Sequence, residues 1–150
     1  MSRAGADRLW VSGQVTLMAL VAVAAVWGPD WPARLVLAIV GIVVAVAGGL
    51  LMIWGGRTLG SSLTPFPSPR GNHLERGPYR FIRHPMYGGG VILALGVSLA
   101  SSPWALVPTA ALVPFFLVKA RYEERLLAEA DPDYADYLTR VRKRFFPGLL

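Results

Sequence analysis

The sequence predicts an all-α integral membrane protein with about four transmembrane helices, the last two a helical hairpin, followed by cytoplasmic C-terminal helices. Three observations predict it. Charged residues make up 16% of the 150 residues and hydrophobic residues 54%, whereas a soluble domain carries about a quarter charged. No charge falls between Leu9 and Trp27, between Leu35 and Gly56, or between Pro85 and Val118. These runs also lack the apolar–polar alternation of a membrane β-barrel strand.

Each run defines its elements. A helix needs about 20 apolar residues to cross the hydrocarbon, so 9–27 and 35–56 each make one span. The third run has room for two, and Ser101-Ser102-Pro103 breaks it into spans at 86–102 and 104–118. Both halves are short, so a tight hairpin that need not span fully is expected. In the second span Gly41, Ala45 and Gly49 recur every four residues, which lays small side chains on one face for close helix packing. The loop 57–85 contains Thr64-Pro65-Phe66-Pro67-Ser68-Pro69, whose prolines exclude helix. Phe66 and the flanking spans place that stretch against the membrane-embedded body.

The tail 119–150 reads as two helices. The first continues the fourth span from Lys119 to Ala130. Asp131-Pro132-Asp133 then supplies an N-cap, a first-turn proline and a dipole-matched acid. Tyr134, Tyr137, Leu138 and Val141 share one apolar face, and Arg140, Arg142, Lys143 and Arg144 gather at the far end. The whole chain is expected to be a single domain. A signal peptide over residues 1–25 is disfavoured, because the apolar run is long for such a segment.

Charge sets the orientation. The stretch from Arg57 to His84 holds five arginines against one acid, and the tail holds seven basic residues. The link between the first two spans holds only Asp30 and Arg34. Excess Lys and Arg marks the cytoplasmic side, so both termini, the central loop and the tail are expected in the cytoplasm. Five tryptophans (10, 27, 31, 54, 104) fall near the interfaces, where amphipathic rings settle. The net charge of +6 flanks apolar spans, which suits anionic headgroups and not nucleic acid. The Ala-, Arg- and Val-rich, Lys-poor composition suggests a GC-rich bacterium, hence its inner membrane. There is no cysteine, which excludes disulfides, thiolate nucleophiles and Cys-bound zinc. His73 and His84 are the two histidines, too few for an expected metal site.

Three clusters could carry chemistry: Gly77-Pro78-Tyr79-Arg80-Phe81-Ile82-Arg83-His84-Pro85-Met86-Tyr87-Gly88-Gly89-Gly90, then Glu123-Glu124, then Arg144-Phe145-Phe146-Pro147. Singly, each has a structural explanation as a turn, an interfacial anchor, a helix contact or a solvated acid pair. Together they share one membrane face, where acids are costly unless paired or used. Arginines there suit a carboxylate or phosphate, carboxylates an ammonium or ribose hydroxyl, and tyrosine rings a cation. A zwitterionic, adenosine-bearing sulfonium fits, and so does a nucleotide. No strand–GxGxxG–helix unit is present, so a soluble dinucleotide fold is not available.

The series GPYRFIRHPMYGG, followed by Glu123-Glu124, Tyr134-x-x-Tyr137 and the Arg144 to Pro147 closure, resembles the signature of the isoprenylcysteine carboxyl methyltransferase and phospholipid N-methyltransferase families. Leu59-Gly60 and Leu63-Thr64-Pro65 also look like the families' loop, so the resemblance covers residues 54–150. It implies S-adenosylmethionine as cofactor, in a pocket at the cytoplasmic interface. Tyr79, Arg83, His84, Tyr87, Gly89, Glu123 and Tyr137 are the cofactor-binding residues it implies. Glu124 and Arg144 are the catalytic residues, facing a lipid-like or small hydrophobic acceptor that enters from the bilayer. Lys143 stands where a proline is common, and Gly88 is smaller than usual.

In-line methyl transfer depends mainly on orientation. A carboxylate acceptor needs only a cation such as Arg144. An amine acceptor needs a base, for which Glu123 and Glu124 are the candidates. A non-enzymatic scaffold or assembly protein, and an NADPH-dependent sterol-reductase-like enzyme, are the alternatives to be separated from this reading.

Overall fold

The computed structural model describes residues 3–60 and 76–145. Five α-helices carry the fold: α1 (Arg3–Trp27), α2 (Arg34–Leu59), α3 (Pro85–Ser101), α4 (Leu106–Ala130) and α5 (Pro132–Arg140). Short 3-10 turns at Gly77–Arg80 and Pro103–Ala105 precede α3 and α4, and no strand occurs among the described residues. The proline-rich stretch 64–69 and the Phe146-Pro147 closure lie outside the described residues.

The chain is an all-α integral membrane protein. Gly5–Trp27, Arg34–Leu59 and Pro103–Ala130 are long and apolar enough to cross a bilayer. Large apolar side chains such as Val26, Leu35, Val43 and Val107 point outward, far more exposed hydrocarbon than a water-soluble monomer tolerates. At 17 residues α3 is apolar but shorter, about 26 Å of helix against about 30 Å of hydrocarbon. Three described helices therefore reach spanning length, and the fourth falls short, as the brevity of its sequence run suggested.

The hairpin between α3 and α4 turns where the sequence breaks. Ser102 is extended (φ −150°, ψ 140°) and its Oγ accepts from Trp104 N. At the far side of that turn Ser98 Oγ meets Thr109 Oγ1 at 2.9 Å, so the two buried hydroxyls satisfy each other.

The seam between α2 and α3 corrects one expectation. Gly49 faces open space, whereas a methyl group on Gly41, Gly48 or Gly96 would meet backbone of the opposite helix at 2.4, 2.4 and 2.2 Å. The α2 face toward α3 is thus Gly41, Ala45, Gly48, Met52 and Gly55. That is a heptad rhythm of alternating three- and four-residue steps, which keeps a contact stripe in line along two wound helices. A strict four-residue step drifts off it. The helices run antiparallel, since Gly41 meets Ala100 and Gly55 meets Met86.

On the other side of α3, α4 packs antiparallel, and α1 packs antiparallel to α4 through Trp10 on Phe115 and Tyr122 on Asp7. The start of α1, the ends of α2 and α4 and the start of α3 consequently lie at one end of the bundle. The tail folds back there: Tyr134 and Tyr137 of α5 are 2% exposed.

Candidate active site

At that end, His84 is the residue from which α3 starts. Its carbonyl accepts from Tyr87 N and Gly88 N, both at 3.1 Å, and Pro85 at the first helical position removes a donor that would have no partner. The short turn before it buries Pro78 and Tyr79, holding the imidazole inward. Forty residues later, Glu123 and Glu124 lie near the end of α4 and straddle the ring. Nε2 is 3.3 Å from Glu124 Oε1, and Nδ1 is 3.7 Å from Glu123 Oε2.

Glu124, its side chain 8% exposed, is the hub. Arg83 Nη1 donates to it at 3.1 Å, Arg144 Nε at 3.2 Å to both oxygens and Arg144 Nη2 at 3.1 Å. Such a forked arginine–carboxylate pair is geometrically specific. With His84 also on Oε1, Glu124 is a saturated carboxylate. Glu123 has lighter company: the Tyr87 hydroxyl donates to its Oε1, and its Oε2 faces His84 Nδ1.

Arg83 has a second task. Its Nη2 donates to Leu138 O at 2.8 Å and its Nε to Val141 O. A helix leaves its last carbonyls without partners, and a cation there also meets the negative end of the dipole. Arg83 thereby caps α5 while it holds Glu124. The phenol of Tyr137 adds a tie, donating to Tyr79 O at 2.8 Å.

Beyond α5 the structure departs from the expected continuous basic helix end. The helix stops at Arg140, and 141–145 runs as a strap beside the start of α3. Arg83 N donates to Lys143 O at 2.9 Å and His84 N to Arg144 O at 2.8 Å. These bonds draw the chain out of helix and aim Arg144 at Glu124. The strap fits because of Gly88: a methyl group there would lie 2.6 Å from Phe145 O. Gly89, expected at the cofactor, turns instead to α2, within 2.8 Å of Gly48 O for an added methyl.

A stack of three rings floors the cluster. Tyr87 lies parallel to His84 at 5.3 Å and to Phe116 of α4 at 4.7 Å, with the Phe145 edge against both His84 and Tyr87. Burial first, then the neighbouring Tyr137 and Glu123, pushes the Tyr79 phenol well up. Burial does the same for Tyr134 and Tyr137. All three are neutral at physiological pH and act as packing surface, with Tyr137 also a donor.

The structure therefore gathers Arg83, His84, Tyr87, Glu123, Glu124 and Arg144 into one cluster, with Tyr79 and Tyr137 buried behind it. Sequence reasoning passed over Phe116, Gln14 and Lys119. Lys119 was counted as a flanking charge, yet its side chain is 1% exposed and its Nζ donates to Gln14 Oε1 at 2.7 Å. The available signal was a glutamine inside a charge-free span, paired with the first charge after another.

Comparison with known proteins bears on this cluster. Residues 36–130 match the family model described as phospholipid methyltransferase. That window holds α2 to α4 and leaves α1, α5 and the strap outside. The chain is similar to the cobalt-zinc-cadmium resistance protein CzcN of Cupriavidus metallidurans, 31% identical over 129 residues, 82% of this chain and 54% of that protein. It thus spans about half the length of that relative. No solved structure matches.

Proposed function

Because the chain belongs to the phospholipid methyltransferase family, as the match over residues 36–130 shows, we propose that it transfers a methyl group from S-adenosylmethionine to a lipid-like or small hydrophobic acceptor at the membrane surface. One observation carries the reading: His84 is bracketed by Glu123 and Glu124, with Arg144 drawn across Glu124 by the strap. Three elements distant in sequence converge on a cluster with cations, carboxylates and stacked rings. That donor set fits the cofactor. Arg144, its side chain 28% exposed, suits a carboxylate; Glu123 suits an ammonium or a ribose hydroxyl; the ring stack suits adenine. When bound, S-adenosylmethionine supplies an electrophilic methyl group on a sulfonium.

The chain's own residues then divide the work. Glu124 anchors Arg144 and Arg83, and its saturation with donors makes it a poor proton acceptor. Glu123, held by the Tyr87 hydroxyl, is the carboxylate placed to take a proton from an ammonium acceptor. Arg144 orients an anionic group, and a carboxylate acceptor would need that service alone. The excess of Lys and Arg supports reading this end of the bundle as the cytoplasmic one, in keeping with the bacterial inner membrane expected from composition.

The relative's name speaks of metal resistance. Among the described residues no group of three or more His, Cys, Asp and Glu could hold a metal, and the proposal takes nothing from that name.

The test is a thermal-shift panel in detergent, because a ligand that binds the folded state must stabilise it. S-adenosylmethionine and S-adenosylhomocysteine should raise Tm, and NADPH should not; His84→Ala should abolish the rise. A shift with NADPH alone points to a reductase, and no shift with any of them points to a scaffold. Transfer of labelled methyl groups to bilayer lipids and small carboxylates then identifies the acceptor.

A further inference from the structure

Lys119 is the buried charge that the proposed chemistry leaves unused. It lies on α4 four residues before Glu123, hence on the same helix face. A lysine near the end of a span ordinarily snorkels its ammonium to water. This one turns inward, reaching Gln14 of α1 at 2.7 Å and the face of the Tyr87 ring at 5.1 Å. A buried ammonium is costly unless paired, and an ionisable group at membrane depth marks function by default. Methionine would fill the same space without that cost.

The contacts form a chain. Gln14 holds the ammonium; the ammonium lies over the Tyr87 ring, an attractive cation–π arrangement; the Tyr87 hydroxyl holds Glu123. We propose that Lys119, steered by Gln14, is a positioning residue that fixes the Tyr87–Glu123 pair and so makes α1 part of the ligand site. The inference rests on the methyltransferase reading and extends it to a helix outside the matched family region.

Titration calorimetry with S-adenosylhomocysteine, on the full chain in detergent, tests it alongside Tm. Lys119→Met should weaken binding about tenfold while Tm holds or rises, since replacing a buried charge by an apolar side chain is often neutral or stabilising. Glu123→Gln should weaken binding by a similar factor, and the double variant by little more than either, because the residues act as one unit. Lys119→Arg keeps the cation and should bind within about threefold of wild type. Gln14→Leu, which leaves the lysine in place, should weaken binding about threefold alone and not at all in the Lys119→Met background.

A purely structural lysine predicts the opposite, a lowered Tm with unchanged affinity. Wild-type binding that ignores both Lys119→Met and Gln14→Leu overturns the inference. So does a double variant weakened about a hundredfold, which is the product expected for independent sites. If Lys119→Met does not fold, Gln14→Leu decides alone. A wild-type chain that binds no S-adenosylhomocysteine overturns the methyltransferase reading itself, and this inference with it.

Discussion

Gly88→Ala isolates the strap from the rest of the protein. The added methyl would sit 2.6 Å from Phe145 O and 3.3 Å from Phe145 C, against backbone that cannot swing aside as a side chain can. Ordinary contact begins near 3.4 Å, so the strap must retreat by about 0.8 Å. The His84 N–Arg144 O bond starts at 2.8 Å and would stretch to about 3.6 Å, beyond hydrogen-bond range. Losing it costs about 1 kcal/mol, and relieving such an overlap costs about 1–3 kcal/mol.

Together these come to about 2–4 kcal/mol, so Tm should fall by about 4–16 °C for a chain of this size. Arg144 rides on the strap, however, and a misplacement near 1 Å can cost about a hundredfold in rate. Labelled-methyl transfer should therefore drop by about 30- to 100-fold, while S-adenosylhomocysteine still binds measurably. Activity within threefold of wild type would refute the claim that the strap places Arg144.

Three further outcomes are expected. Glu124→Gln leaves Arg83 and Arg144 facing a neutral amide; Arg83 keeps two carbonyls and Arg144 can turn to water. We expect a loss of about 3 kcal/mol, a Tm drop of about 6–12 °C read by thermal unfolding in detergent. Gly96→Ala drives a methyl into Ala45 N at 2.2 Å and should lower Tm sharply, whereas Gly49→Ala, in open space, should leave it unchanged or raised, since alanine favours helix by about 1 kcal/mol. The buried phenols of Tyr79, Tyr134 and Tyr137 titrate above the ordinary 10.0. Folding thus favours their neutral forms, and that stability is complete below about pH 10. It is lost as pH rises from there toward their raised values, and Tyr137→Phe should blunt the fall in Tm between pH 9 and 11.

The bundle was legible because hydrocarbon imposes a coarse rule: long charge-free runs become helices. The Ser102 turn and the Asp131 cap, with Asp131 Oδ1 accepting from Asp133 N at 3.0 Å, follow from local chemistry that the sequence displays directly. What stayed hidden depends on pairing between distant segments. The four-residue stripe ending at Gly49 was plausible by itself, but α3 presents Gly89, Leu93, Gly96 and Ala100, and matching that helix requires the heptad rhythm. Lys119 looked like a flanking charge because nothing local tells an outward ammonium from one turned toward Gln14. Arg83 and Arg144 stood out as chemical residues. That one caps a helix and the other rides an extended strap becomes visible only once residues 83–84 and 143–144 lie side by side.

That side-by-side pairing also bears on truncation. Arg144 lies twenty residues beyond Glu124, on a stretch held by two backbone bonds to residues 83 and 84. A chain cut before residue 141 keeps every apolar helix yet loses both carbonyls and the cation forked on Glu124. A buried carboxylate stripped of a partner is costly, so such a chain would hold its bundle while the cluster around His84 came apart.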